Sequence, residues 1–247
     1  MYNSFDPHLK ITSNEGKTFN GESVISELES SDDILYFTEV LEEKVLMKNG
    51  EHEFIASIKG VGDDFSKMTN LDSIIVEGVN FDNYESNSVA VLGQGVAYHL
   101  SMGVGNIFNR LKIFVPNRES KTLLNPSSAF ASTSVLPIGI FSLGAEYDNK
   151  YIITPIIFLQ DLLYKKEVSA IDIKLKQESK MLEVQKYLQS NLGENYKVSN
   201  RLQQHAVLHR HLGRDGRGRY LRNRRPLQQD GAHRLRPYAQ CPGPDTE

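Results

Sequence analysis

The chain has 247 residues, of which 39% are hydrophobic and 24% are charged, and its formal net charge is -3. This length allows one large domain or two small ones, and the composition is ordinary for a soluble globular protein. Cys241 is the single cysteine, which excludes an internal disulfide. No window holds the roughly 18–20 apolar residues that span a bilayer, and the first residues lack the basic and apolar regions of a signal peptide.

The charge is distributed unevenly along the chain. Residues 1–200 carry a net charge of -9 and all sixteen lysines, whereas residues 201–247 carry +6 and ten arginines without a lysine. The second segment also contains no Ile, Phe or Met, so it buries too little apolar surface to offset the entropy of ordering. We therefore predict a folded domain at 1–200 and a disordered or loosely helical tail at 201–247. The change from Lys to Arg usage suggests that the tail has a different origin, such as a shifted reading frame or a vector-derived end.

The first third of the chain predicts strands with one short helix among them. The main signals are alternating apolar residues after a proline, the Asn49-Gly50 pair, and two long apolar-rich runs on either side of that pair. In chain order the predicted elements are a strand at 5–12, a helix around 24–28, a hairpin of strands 33–48 and 53–61, and a strand at 71–77.

The rest of the body continues this alternation of strands and short helices. The predicted elements are a strand at 89–92, a helix at 94–102, a strand at 107–115, a projecting polar hairpin or loop at 116–133, a strand at 135–143, a turn at 144–149, a strand at 151–154, a helix after Pro155, a strand at 168–175, a helix at 178–192 and a strand at 196–198. The long βαβ regularity of a doubly wound sheet is missing. We therefore predict an α+β fold of small mixed sheets with helices on one face.

Residues 90–105, AVLGQGVAYHLSMGVG, place glycines between a strand and a helix, as a phosphate-binding turn does. However, Tyr98 stands where the dinucleotide fingerprint has its third small residue, and no acidic residue follows at the expected distance of about 20 residues. A Lys-Ser/Thr pair, which a P-loop needs, is also missing. We therefore expect Gly93 and Gly95 to shape the turn, Gly103 and Gly105 to end the helix, and no nucleotide or other cofactor to bind.

The other candidates for chemistry are weak. His205, His209 and His211 have metal-ligand spacing, but no carboxylate or cysteine is placed to complete a rigid site. Three pairs of neighbouring acids, Asp32-Asp33, Glu42-Glu43 and Asp63-Asp64, are interpreted as solvated surface, because adjacent strand residues point to opposite faces. Cys241 has no partner nearby in sequence. The sequence thus predicts no catalytic and no metal-binding residue.

Six stretches of the body, in order, resemble the extracytoplasmic domain of lipoprotein-releasing ABC transporter permeases of the LolC/LolE type, which share this domain with MacB- and FtsX-like permeases. The likeness covers about residues 2–200. The stretches are NSFDPHLKIT at the start, ASIKGVGDDF at 56–65, VLGQGVAYHLSMGVGN at 91–106, LKIFVPNR at 111–118, PIGIFSLGAEYDNKYIITPIIFLQDLLY at 137–164 and VSAIDIKLK at 168–176.

The resemblance implies a MacB-like periplasmic domain without chemistry of its own, cut from a permease of the bacterial inner membrane. Its partners would be a separate ATPase subunit, a second permease copy, and a lipoprotein or its periplasmic carrier. In LolC-type members a projecting hairpin holds the carrier. By position, the corresponding residues of this chain are Leu123, Leu124, Pro126 and Phe130.

Three other interpretations remain open. Within the same superfamily, the domain could serve MacB-like export or FtsX-like regulation of cell-wall hydrolases. A small-molecule-binding or enzymatic α+β protein is weakened by the missing catalytic constellation. A nucleic-acid-binding protein could use RDGRGRYLRNRRP at 214–226, since arginines with Gly and Tyr suit phosphate contacts and base stacking. The acidic body without Trp argues against nucleic acid as a partner.

Overall fold

The computed structural model describes residues 5–82, 84–116 and 130–204. Within these ranges lie ten strands: β1 Leu9–Ser13, β2 Ile34–Asn49, β3 His52–Val61, β4 Ile75–Gly78, β5 Val89–Gly93, β6 Leu111–Pro116, β7 Phe130–Phe141, β8 Tyr151–Pro155, β9 Ala170–Leu175 and β10 Tyr196–Asn200. The same ranges hold six α-helices: α1 Glu22–Glu29, α2 Phe65–Thr69, α3 Gln94–His99, α4 Ala145–Asp148, α5 Ile156–Leu163 and α6 Met181–Leu192. Among the described residues, none of the helices has the length and apolarity that crossing a membrane requires.

The α+β class expected from the sequence is confirmed, but the strands form one network rather than several small sheets. Their order is β10-β1-β9-β2-β3-β8-β5-β7-β4, and β6 pairs with both β2 and β7. The pairings β2–β3–β8–β5–β7–β6 therefore close on themselves. Closure depends on β2, whose 16 residues are enough to pair with β9 along its first half and with β6 at Leu46–Lys48.

Two apolar cores stabilise this network. The larger one packs α1, α3, α5 and α6 against the sheet, with Val24, Val96, Leu159 and Leu188 as representative buried residues. The smaller core contains α2 and a set of aromatic side chains. Its buried members are Phe5, Val61, Phe65, Met68, Leu71, Phe81, Val89, Val91, Ile138, Phe141 and Ile153. Helices thus pack mainly in one core, as the sequence predicted, while α2 belongs to the other.

Most predicted elements are confirmed, although β1 begins only at Leu9 and β7 begins at Phe130, inside the segment expected to be a polar loop. Helix α2 was not predicted. Three further elements differ from their predictions. The segment expected to be a strand at 71–77 begins with a 3₁₀ turn, Leu71–Ile74, before β4. The strand expected at 107–115 starts only at Leu111. The turn expected at 144–149 is the one-turn helix α4, because the Asp148 carboxylate accepts a hydrogen bond from the backbone N–H of Leu143 at 2.8 Å.

The two ends of the described domain lie side by side. β1 and β10 are antiparallel neighbours, with Leu9 opposite Asn200. Beyond β10 the helical turn at 201–204 stays against the domain, since the Arg201 guanidinium donates to the Asp6 carbonyl at 3.2 Å and to Glu178 at 3.1 Å. The rest of the predicted tail, with His205, His209, His211 and Cys241, lies outside the described residues, so the domain boundary and the disorder of the tail stay predictions.

Candidate functional site

The glycine turn between β5 and α3 serves the backbone. A side chain on Gly93 would overlap the carbonyl oxygen of Asp148, and one on Gly95 would overlap the side chain of Asn149. The end of α4 and the turn before β8 therefore occupy the space in front of the first turn of α3, where a phosphate-binding loop holds its ligand. This is the structural role that the sequence predicts for Gly93 and Gly95.

A group of buried charges lies on the sheet face that carries the smaller core. Asp172 on β9 has no exposed surface, and its carboxylate lies 3.3 Å from the ammonium nitrogens of both Lys10 on β1 and Lys59 on β3. The contact with Lys59 is a hydrogen bond, whereas the carboxylate oxygen facing Lys10 is not aligned for one. The Lys59 ammonium also lies 5.1 Å from the centre of the Phe65 ring, within reach of a cation–π interaction.

The pKa values of these groups follow from burial and from one another. Burial raises the pKa of Asp172, but the two ammonium groups outweigh it, so the pKa of this carboxyl lies below its usual value. Burial opposes the charge on Lys10, yet the attraction of Asp172 and Glu42 raises the pKa of Lys10. For Lys59 burial prevails and lowers the pKa. Asp172 and Lys10 thus favour each other's charged forms, whereas burial disfavours the charge on Lys59. The contacts among the three side chains join β9 to β1 and β3.

Glu42 belongs to the same group, and here the sequence interpretation is wrong. It was expected on a solvated surface, but it is half-buried on β2 with its Cα opposite that of Lys59. It hydrogen-bonds Tyr151 on β8, whose pKa is raised mainly by burial. The signal that could have found the group is a lone charge in an apolar strand, such as Asp172 between Ile171 and Ile173. Such a residue is buried only with a partner.

A further groove lies between the start of α1 and the helix α5. It encloses about 1090 Å³ and is lined by residues that include Glu39, Asp161 and Tyr164. Burial and the charge of Asp63 raise the pKa of Glu39. Among the described residues, no three His, Cys, Asp or Glu side chains are grouped closely enough to hold a metal ion. The groove therefore offers carboxylates without the geometry of a metal centre.

The exposed apolar side chains near β4 form the best candidate for a binding surface. Val76, Val79, Tyr84 and Tyr98 are 58%, 52%, 44% and 81% exposed. We call these four residues together with β4 the β4 surface. Within the described part of the chain, β4 pairs with β7 alone and ends the strand order, so one backbone edge of β4 has no neighbouring strand. Exposed apolar groups beside a free strand edge are typical of a protein-binding surface.

Of the four residues predicted to bind a partner, the structure describes Phe130, which is not part of the β4 surface. Leu123, Leu124 and Pro126 lie outside the described residues. Phe130 is the first residue of β7, is 50% exposed and stands opposite Pro116 of β6. Segment 117–129 therefore connects two paired antiparallel strands, as a hairpin does. The β4 surface was missed because a short strand with one exposed valine gives no periodic signal.

Two solved structures of extracytoplasmic domains are similar to this chain. The extracellular domain of the noncanonic ABC-type transporter YknZ from Gram-positive bacteria is 13% identical, with a TM-score of 0.56 over 78% of this chain and 99% of that chain. The periplasmic region of MacB from Actinobacillus actinomycetemcomitans is 12% identical, with a TM-score of 0.57 over 83% of this chain and 94% of that chain. The sequence itself matches no family model and no curated protein.

At these identities the likeness shows the fold. The chain shares its fold with the YknZ extracellular domain and the MacB periplasmic region. The two structures do not show that the domain is of the LolC/LolE type, which is the type that the sequence resembles.

Proposed function

We propose that this chain is the extracytoplasmic domain of an ABC transporter permease, and that it binds partners and transmits motion driven by a separate ATPase subunit. The observation that carries the proposal is the shared fold with the YknZ and MacB domains over about four fifths of the chain. In this role the domain is not an enzyme. It faces the periplasm, and a second permease copy completes the transporter.

The pairing of the first and last described strands supports this function. A domain inserted between two membrane segments needs its first and last strands next to each other at one side. β1 and β10 are such neighbours, and the Arg201 guanidinium ties residue 6 to the segment after β10. Movement of either membrane segment would then reach the sheet directly through β1 or β10. Because β1 also holds Lys10, the buried charge group connects that strand to β9 and β3.

Within this function we favour lipoprotein release. The support is the sequence resemblance to the LolC/LolE type and the position of segment 117–129 between β6 and β7, where that type carries its carrier-binding hairpin. Leu123, Leu124, Pro126 and Phe130 would then contact a lipoprotein carrier. Phe130 is exposed, which suits this role.

The test is depletion of the native gene that encodes this domain, followed by separation of inner and outer membranes. We expect lipoproteins destined for the outer membrane to accumulate in the inner membrane, and an ABC ATPase to co-purify with the full-length product. Complementation by a gene in which a Gly-Ser linker replaces 117–129 should restore the permease level without restoring lipoprotein release. Replacement of the exposed turn at 50–51 is the matched control.

Each alternative has its own outcome in the same experiment. Normal lipoprotein distribution with impaired efflux would indicate MacB-like export. Normal distribution with defective cell-wall hydrolysis would indicate FtsX-like regulation. Failure of any ATPase to co-purify, with all three phenotypes normal, would contradict the assignment to a permease.

A further inference from the structure

β4 is a short edge strand of four residues, and its pairing with β7 has a register shift between Ile75 and Glu77, but its free edge lacks proline and lysine. Exposed edges are commonly blocked by proline, by lysine or by a covering element, because an unpaired strand is a template for another strand. β4 reads Ile-Val-Glu-Gly and contains neither blocking residue. In the described part of the chain its pairing partner is β7 alone. The edge is therefore open to one further strand.

Two grooves meet at this strand. One, of about 360 Å³, is lined by Ile75, Gly78, Val79 and Tyr84 among others. The other, of about 600 Å³, is lined by Val76, Glu77 and Tyr98 together with residues of α3 and β7. The side chains of an extended segment point alternately to opposite sides of its backbone. A segment added to β4 could place alternate side chains in the two grooves, which is how strand addition obtains specificity.

The negative charge of this region indicates that the partner segment carries positive charge. Among the described residues that line the two grooves, Asp72 and Glu77 are acidic and none is Lys, Arg or His. The surrounding segment 71–88 contains four acids and no base. Complementary charge steers association and discriminates between partners. An extended segment with apolar and basic side chains would match both the exposed valines and these carboxylates.

We propose that the β4 surface binds an extended, Lys- or Arg-bearing apolar segment of a partner protein by strand addition to the free edge of β4. Main-chain hydrogen bonds to β4 hold the segment, its apolar side chains contact Val76, Val79 and Tyr98, and its cations face Asp72 and Glu77. This binding site adds to the proposed function and does not depend on it, since it rests on β4 and its grooves alone.

The test uses the full 247-residue chain and a fluorescent peptide of alternating valine and lysine. Anisotropy measures affinity at two salt concentrations, and hydrogen exchange measures protection of the backbone amides of β4. We expect binding that weakens with added salt and slower exchange at 75–79. Peptides with glutamate in place of lysine, or with proline at alternate positions, should not bind, because they lose the charge match or the amide donors.

Matched variants locate the site. Val76→Lys places a blocking cation on the edge, and Glu77→Lys reverses a carboxylate of the groove. Each should weaken peptide binding by about tenfold or more, the loss expected when a few main-chain hydrogen bonds or one complementary charge are removed.

Two variants away from the β4 surface serve as controls. Ile55→Lys changes a residue of β3 that is 69% exposed, and Glu29→Lys changes an exposed acid at the end of α1. Both should leave affinity within about twofold of the wild-type value, since surface changes away from a site are usually small.

Three results would overturn the proposal. The first is failure of the valine–lysine peptide to bind the wild-type chain. The second is equal affinity of that peptide for the wild-type chain and Val76→Lys, or protection that maps away from β4. The third is a concentration-dependent dimer, seen by sedimentation velocity and abolished by Val76→Lys, because the edge would then pair with a second copy of this chain.

Discussion

Removal of the Asp172 carboxylate should strongly lower the free energy of unfolding of the domain. Its carboxylate is fully buried between the ammonium groups of Lys10 and Lys59. Asp172→Ala would leave Lys10 and Lys59 without the carboxylate that contacts both of them, with Glu42 and Asp6 as further carboxylates nearby. We expect a loss of about 3–5 kcal/mol in the free energy of unfolding, the usual cost of breaking a buried ion pair from one side. Urea unfolding measures the loss. Asp161→Ala, at an exposed carboxylate, should change stability by less than about 0.5 kcal/mol, and equal losses for the two variants would contradict a buried ionic group.

The same residue should shape the acid sensitivity of the domain. The pKa of Asp172 is lower in the folded chain than its ordinary 3.8, because Lys10 and Lys59 outweigh the effect of burial. Its stabilisation is therefore complete above the ordinary pKa and is lost as the pH falls through the folded value, since the unfolded chain takes up the proton first. We expect Asp172→Asn to have a shallower decline of unfolding free energy than wild type below about pH 4. Parallel curves for Asp172→Asn and wild type would show that the pKa of this carboxyl is not shifted.

The turn between β5 and α3 allows a test at the level of secondary-structure elements. A methyl group on Gly93 would meet backbone atoms of Asp148 and Tyr151, and backbone cannot rotate away as a side chain can. Gly93→Ala should therefore cost about 1–3 kcal/mol of unfolding free energy, the usual cost of overpacking. Gly103 has nothing within 4 Å of an added methyl group, so Gly103→Ala is the control and should be neutral or slightly stabilising. Thermal or urea unfolding compares the two variants, and an unchanged midpoint for Gly93→Ala would show that the contact with the turn before β8 is not rigid.

Elements with local signals were predicted well, and elements set by distant contacts were not. Apolar periodicity in α1 and α6, and the Asn49-Gly50 turn between β2 and β3, depend on residues close in sequence. The one-turn helix α4 is an exception: the Asp148 carboxylate bonds the nearby backbone of Leu143, and residues of this kind commonly make such a bond in a turn as well. The late start of β6 has a distant cause, since pairing with β2 and β7 decides where the strand begins. Periodicity predicts which face of a strand is buried but not which strand lies beside it.

The whole network of strands was the least predictable feature, and the candidate site shares this difficulty. Closure of the six strands requires β2 to meet β6 and β6 to meet β7, and no residue pattern in the sequence specifies those partners. The charges of the group come from β1, β2, β3 and β9, so their grouping appears only once the sheet is assembled. Likewise the β4 surface exists because β4 comes last in the strand order. The family resemblance anticipated the fold but not these surfaces.

A disulfide bond between β1 and β10 can test whether the first and last strands are paired. Thr12 on β1 stands opposite Lys197 on β10, and directly opposed residues of antiparallel strands have Cα atoms about 4.5–5.5 Å apart, within disulfide range. In a Cys241→Ser background, Thr12→Cys with Lys197→Cys should oxidise readily and add about 2–4 kcal/mol to the free energy of unfolding, because the bond closes a very long loop. The diagonal pair Thr12→Cys with Ser199→Cys should oxidise poorly, since Ser199 stands opposite Lys10. Mass spectrometry and urea unfolding under oxidising and reducing conditions distinguish the two pairs. Efficient oxidation of both would mean that β1 and β10 slide past each other, and a domain with sliding end strands could not carry motion from a membrane segment into the sheet.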